Sequence, residues 1–416
     1  MRAMLGKKIA SDRRWKYPAA LVAVLALTFL AGSFGLDSRL EAEPYFAVRE
    51  GYKCSKCHVN RTGGGMRTDY AKSYMETRMA MSSGTGAGPE AAPRSDFGLS
   101  RLSDAFSLGA DLRQLVERRK FDGEQTNWHF GRRADCESCH TSTGGGGKVA
   151  ELYERMEVMP GRASIVAGQS FVPGLTNRES FALLETETLN GYLKAGIFRM
   201  PSALRNTFDD PYLHGTVDFG AVPDVVGLEA VRANGMELGI EPGPFSVSVS
   251  VTNPGSLNNF KSAPPNGKRV HLNAYAAGRY GLLGLTAYTD PVRESLERRF
   301  TAIYGGTSLG RITGLAELDS VRERDPTSSV PEVQRLALLA QIDFLITRGQ
   351  NIKWQYEAFD PDDKVRDNRS DRNSVIYEPF ITPYLQFRGG VRHSEGPREK
   401  KGLNGTTIFM ELHLMY

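Results

Sequence analysis

The stretch FSVSVSVT, Phe245–Thr252, alternates without a break. Successive side chains of a strand point to opposite sides, so Phe245, Val247, Val249 and Val251 share one face. Ser246, Ser248, Ser250 and Thr252 share the other. This is a β-strand with one apolar and one polar face. A soluble sandwich would turn the valines toward a core. A transmembrane barrel would turn them to lipid and the serines to a lumen.

The same period recurs on either side of this stretch. Ile352, Trp354, Tyr356 and Ala358 oppose Lys353, Gln355 and Glu357. Leu338, Ala340, Ile342, Phe344 and Ile346 oppose Gln341 and Asp343, and Ile408, Met410, Leu412, Leu414 and Tyr416 oppose Thr407, Glu411 and His413. Strands are predicted near 104–118, 180–189, 191–200, 233–241, 244–252, 268–280, 282–289, 298–305, 311–320, 333–347, 350–359, 372–380, 383–393 and 405–416. Their links alternate in length. Tight turns fall around Asn190, Gly243, Gly281, Ser308, Gly349 and Ile381. Long polar loops fall at 119–179, 201–232, 253–267, 290–297, 321–332, 360–371 and 394–404. Outer-membrane barrels sort their connections this way, with short periplasmic turns and long external loops, whereas a sandwich has no reason to. The alternating final segment closes on an aromatic residue, Tyr416, as such barrels commonly do. The fold expected is mainly β, a transmembrane antiparallel barrel of about 14 strands (range about 12–16).

Ahead of this pattern lies YKCSKCHVNRTGGGMR, Tyr52–Arg67, and DCESCHTSTGGGGK, Asp135–Lys148, repeats its core. In Cys-x-x-Cys-His the thiols add across haem vinyl groups and the His is the proximal iron ligand. Cys54, Cys57 and His58 satisfy this spacing, and so do Cys136, Cys139 and His140. A zinc knuckle or a redox dithiol also uses close cysteines, but a zinc site would draw on all four, whereas each pair here carries its own His. The expected cofactors are therefore two covalently attached haem c groups. Thr62 with Gly63–Gly65, and Thr143 with Gly144–Gly147, follow at nearly equal offsets, suggesting a duplicated module whose glycines allow positive φ and close approach to a flat ring.

The composition limits the partners. Across 416 residues, 52 Lys and Arg against 48 Asp and Glu give a net charge of +4, too mild to imply nucleic acid. Lys7, Lys8, Arg13, Arg14 and Lys16 precede an apolar run from Ala19 to Ala31, then Gly32 and Ser33, the layout of a signal peptide. The division expected is a signal peptide at 1–36, a first haem segment at 37–81, a Gly/Ala/Pro-rich linker at 82–95 and a barrel at 96–416. The second haem segment is inserted at about 120–165, between the first two strands.

GYLKAGIFRMPSALR, Gly191–Arg205, followed by NGMELGIEPGPFSVSVSVTN, Asn234–Asn253, resembles the phosphate-selective porin type over roughly residues 100–416. The resemblance implies a porin barrel in the outer membrane, but not phosphate selectivity, because that family's basic ladder is not matched here. Haem motifs joined to such a barrel resemble outer-membrane porin-cytochrome fusions, which pass electrons across that membrane. Those carry one N-terminal haem, and the second motif here departs from that pattern.

Distal ligands are read from proximity. His129 precedes the second motif, and Met159, in Met159-Pro160, is its rival. Met66, Met75, Met79 and Met81 follow the first motif. His413 faces the lumen by parity near the periplasmic end, and His271 does so nearer the outside, although a solvated lumen residue is the commoner role for such histidines. Asp209, Asp210, Asp360, Asp362, Asp363 and Asp371 make external loops acidic and open to metal cations. No catalytic constellation stands out, so an electron-transfer protein is expected rather than a turnover enzyme. The leading expectation is electron transfer across the bacterial outer membrane. Its partners are outer-membrane lipid, periplasmic c-type cytochromes, and an extracellular cytochrome, metal ion or mineral. The alternatives are a periplasmic enzyme like the di-haem cytochrome c peroxidases and a solute porin whose haems are structural.

Overall fold

The computed structural model describes residues 44–81, 101–103, 105–121, 124–125, 128–130, 148–171, 176–200, 203–204, 232–253, 267–291, 297–324, 332–397 and 404–416. The expected signal peptide, the linker at 82–95 and the motif residues Cys136, Cys139 and His140 lie outside them.

Among the described residues, sixteen long strands form one antiparallel sheet in sequence order. They are β1 (Phe106–Phe121), β2 (Lys148–Met159), β3 (Ala163–Ser170), β4 (Thr176–Thr186), β5 (Gly191–Arg199) and β6 (Arg232–Ile240). There follow β7 (Phe245–Thr252), β8 (Arg269–Gly278), β9 (Gly281–Pro291), β10 (Glu297–Leu309) and β11 (Ile312–Arg324). The last are β12 (Val333–Thr347), β13 (Gln350–Asp360), β14 (Ser370–Thr382), β15 (Leu385–Glu395) and β16 (Gly405–Met415). β16 pairs with β1 from Gly405 opposite Phe121 to Met415 opposite Asp111, so the sheet closes on itself.

The count corrects the expected fourteen. β2 and β3 lie inside the stretch read as a long loop at 119–179, and they also cut short the expected insertion at about 120–165. The reason is the composition of β2. Its inward positions are Glu151, Tyr153, Arg155 and Glu157, and Glu154 stands among Leu152, Met156 and Val158 on the outer side. Charge on both faces hid the period. Adding a hairpin leaves the parity of every other strand unchanged.

Burial decides the orientation. Val249 is 43% exposed on the outside, whereas its neighbour Ser248 is 2% exposed toward the lumen. Leu238, Leu272, Leu285, Ile303, Ile342, Trp354, Val391 and Met410 continue the outer apolar belt around the barrel. An apolar surface this continuous, over a ladder with no open edge, is that of a barrel in lipid. Inside, charges pair across neighbouring strands: Lys194 with Glu237 at 2.7 Å, Arg372 with Glu357 at 2.7 Å, and Arg298 with Glu323 at 2.7 Å. The peroxidase alternative required a mainly helical C-terminal half, and the barrel overturns it.

The N-terminal segment comprises α1 (Pro44–Glu50), α2 (Cys54–Cys57), α3 (Asp69–Tyr74) and a π-helical turn (Met75–Met79). Thr68 caps α3, its Oγ1 accepting from the Ala71 N–H at 3.2 Å. These elements pack inside the barrel against inward side chains of the wall.

Arg in place of Val249 puts a charge at mid-strand on the lipid face and is expected to cost about 2–4 kcal/mol. Val249→Leu keeps the face apolar and is expected to stay within about 0.5 kcal/mol. Urea unfolding in lipid vesicles, followed by heat-modifiable gel migration, measures both.

Candidate functional site

The N-terminal segment is held in the lumen by two apolar clusters. In one, Tyr45, Phe46 and Val48 of α1, with Met75 and Met79, pack against Tyr275, Leu282, Tyr304, Leu315, Phe380 and Met415 of the wall. In the other, Val59 and Met66 pack against Tyr153, Val166, Phe181, Leu183, Tyr192 and Phe198. A buried side chain of this size contributes about 1.5–3 kcal/mol, so the plug is held firmly before any polar contact is counted.

Polar contacts then fix its rotation. Glu241, at the end of β6, accepts from Ser55 Oγ at 2.6 Å, Arg61 Nη1 at 3.2 Å and Asn190 Nδ2 at 3.3 Å, while Lys53 Nζ donates to its backbone carbonyl at 2.9 Å. Arg61 also pairs with Glu185. On the opposite wall Tyr45 Oη donates to Glu378, which also accepts from Lys353 and Arg388. Asn60 Nδ2 donates to Glu179 at 2.9 Å, and Lys194 Nζ donates to Asn60 Oδ1 at 2.8 Å.

The first motif sits within this plug. Cys54 and Cys57 bound the single turn α2 and are unpaired thiols. The Cys54 N–H donates to Tyr275 Oη at 3.1 Å, and its side chain packs against the cluster that holds Met75 and Met79. Burial, reinforced by Cys54, pushes the Cys57 thiol up to about 12. His58 leaves the turn in extended conformation and bridges to Arg67. Burial, with Arg67 beside it, pushes the imidazole down to about 4, leaving it neutral as an iron ligand must be. Its Nδ1 is buried without a hydrogen-bond partner among the described residues. Two unpaired thiols on one turn, a neutral imidazole directly after them and an adjoining apolar cluster suit a thioether-bound haem in their chemistry.

Gly63, Gly64 and Gly65 all have positive φ, as the glycine run suggested. At Gly65 the close approach is to the wall, since an added Cβ would lie 2.4 Å from Glu179 Oε2.

The other expected ligands are dispersed. Met159 is 51% exposed at the short turn that follows β2, at the opposite end of the strand from Lys148. His129 lies in a two-residue strand, His129–Phe130, opposite Glu117 of β1. His413 is buried in the lumen near the plug, but Gln386 Oε1 lies 2.8 Å from its Nδ1 and Asp111 Oδ1 lies 3.1 Å from its Nε2. His271 faces the lumen and stacks on Tyr288, and His393 is exposed beside an external loop. Met81 is exposed at the rim, its N–H donating to the Phe380 carbonyl. Among the described residues no group of three or more His, Cys, Asp and Glu is arranged to hold a metal ion.

The sequence did not point to Glu241, Glu179 or Glu378 as anchors. Lumen parity was the available signal, but many wall residues share it.

Solved structures resemble this barrel in fold. An anion-selective porin from Comamonas acidovorans superposes with a TM-score of 0.56 at 11% identity, over 75% of this chain and 99% of that one. Outer-membrane expressed OmpT of Vibrio cholerae gives 0.52 at 11% identity, over 76% and 99%. A loop-deletion mutant of OmpT gives 0.54 at 10% identity, over 75% and 99%. No protein-family profile matches the sequence, and no curated protein does. The fold is that of an outer-membrane porin.

Glu241→Ala removes the carboxylate that Ser55, Arg61 and Asn190 share, while Arg61 keeps Glu185, and losing hydrogen bonds to a charged group costs about 1.5–3 kcal/mol. The expected result is a plug that leaves its seat. Protease cleavage within 44–81 and the conductance of single barrels in planar bilayers should both rise.

Proposed function

We propose that the protein is an electron-transfer barrel of the bacterial outer membrane, in which the plug carries a c-type haem on Cys54 and Cys57 with His58 as the proximal ligand. The observation that carries this reading is the position of an unpaired Cys-x-x-Cys-His turn, seated in a plug inside the lumen of a closed barrel. A haem supplies an iron that takes up and releases one electron. The chain's own part is to hold that group where protein, not lipid, surrounds it. The apolar clusters exclude water from the plug, and the acidic anchors fix its orientation.

Cys136, Cys139 and His140 would hold a second haem in the connection between β1 and β2. Strand parity gives this connection the long-loop end, so the two groups would enter from opposite ends and would shorten the insulating gap of a bilayer core about 30 Å thick. Periplasmic c-type cytochromes would serve the plugged end, and an extracellular cytochrome, metal ion or mineral the other.

The likeness to porins favours a second reading, a solute pathway in which the haem segment braces the lumen. One of those porins is described as anion-selective, and paired charges line the lumen of this barrel.

Proteoliposomes separate the two. The electron reading expects an impermeant external reductant to reduce a trapped acceptor without leak of small solutes. Leak with no reduction supports the solute reading. Denatured protein should keep two haems per chain by pyridine haemochrome assay, and Cys136→Ala with Cys139→Ala should leave one. Haem-free protein ends the electron reading.

A further inference from the structure

Buried cations on the lumen wall come with acids: Lys194 with Glu237 at 2.7 Å, Arg199 with Glu151 at 2.8 Å, Lys353 with Glu378 at 2.9 Å. Arg49, on α1 of the plug, differs. It is only 5% exposed. Its Nε donates to Thr313 Oγ1 of β11 at 3.0 Å, and its guanidinium lies 5.5 Å from the centre of the Tyr45 ring. Nη1 and Nη2 are buried with no hydrogen-bond partner among the described residues. A guanidinium always carries its charge, and a buried charge without a partner is costly. Both remaining nitrogens of its fork are thus left for a ligand.

The surroundings say what kind. Tyr45, beneath the guanidinium, and Val48, next to it in the chain, belong to the apolar cluster against which Cys54 packs. Arg49 therefore stands at the edge of the cluster that adjoins the thiol. A thioether-bound porphyrin is a flat apolar body carrying two carboxylates, and a guanidinium fork binds a carboxylate in bidentate fashion. We propose that Arg49 pairs with a propionate of the haem carried on Cys54 and Cys57. This assignment rests on the haem reading above.

The test uses the full chain in detergent with Cys136→Ala and Cys139→Ala, so that only the first site reports. The midpoint potential is followed by spectroelectrochemistry between about pH 5 and 9, where a perturbed propionate titrates. A cation beside the haem favours the reduced, less positive form, so Arg49→Gln should lower the potential at neutral pH. Loss of the cation also raises the propionate pKa, so the pH range over which the potential falls should move upward. Arg49→Lys should shift both in the same directions by less, and it serves in place of Arg49→Gln if that variant does not fold. Thr313→Val, which removes only the Nε contact, should leave the titration in place. Potential and titration unchanged in both Arg49 variants would overturn the assignment. So would unchanged values accompanied by altered anion selectivity in planar bilayers, which would give Arg49 to a small anion of the lumen. Absence of covalent haem in the parent is a different failure, that of the haem reading itself.

Discussion

In hydrocarbon a backbone N–H or C=O without a partner costs several kcal/mol, so a sheet can cross a membrane only if it has no edge. The pairing of β16 with β1 meets that constraint. Closure has a second effect, because it separates two solvents for the side chains of every strand. The alternation seen in β7 is the direct expression of this, with valines facing lipid and serines facing the lumen. The interior is then free to carry charge, and its acids and bases satisfy one another across adjacent strands.

Set inside such a lumen, the plug is unusual in its chemistry. Phe46, Met75, Met79 and Val59 bring apolar surface where a water-filled channel has little use for it. The wall answers with Tyr275, Tyr304, Phe380, Phe181 and Phe198 at inward positions. Apolar groups thus appear on both sides of the barrel wall, for opposite reasons. Outside they meet lipid, and inside they meet the plug. Two small clusters elsewhere in the lumen, Ala337 with Leu339 and Phe359, and Leu115 with Ile376 and Phe409, show the same inward departure from polarity.

Much of the architecture was legible because it repeats with period two. β7, β12, β13 and β16 carry apolar outer faces without interruption, and their parity came directly from the residues. β2 was missed because Glu154 sits on its outer face and charges fill its inner one, and β3, its hairpin partner, went with it. A strand whose two faces are both polar has no period to read. For the site, the local motif at Cys54–His58 was legible, since its spacing is set along the chain. Its seat was not. Ser55 meets Glu241 across 186 residues and Tyr45 meets Glu378 across 333, and no pattern along one sequence states such pairings. His413 illustrates the limit, for its inward parity was legible, whereas the nearness of Gln386 and Asp111 to its ring was not.

The plug also spans the seam. Lys72 Nζ donates to the Leu108 carbonyl of β1 at 3.4 Å and lies over the Tyr416 ring, while Met415 of β16 joins the cluster around Tyr45. Beside them Ala110 and Tyr416 exchange backbone hydrogen bonds at 2.9 and 2.8 Å. Synthesis delivers the plug before any strand, yet its seat is complete only when β16 has found β1. A chain that stopped before β16 would lack Met415 and the Tyr416 ring beneath Lys72, so the seat it offered the plug would be open at the seam.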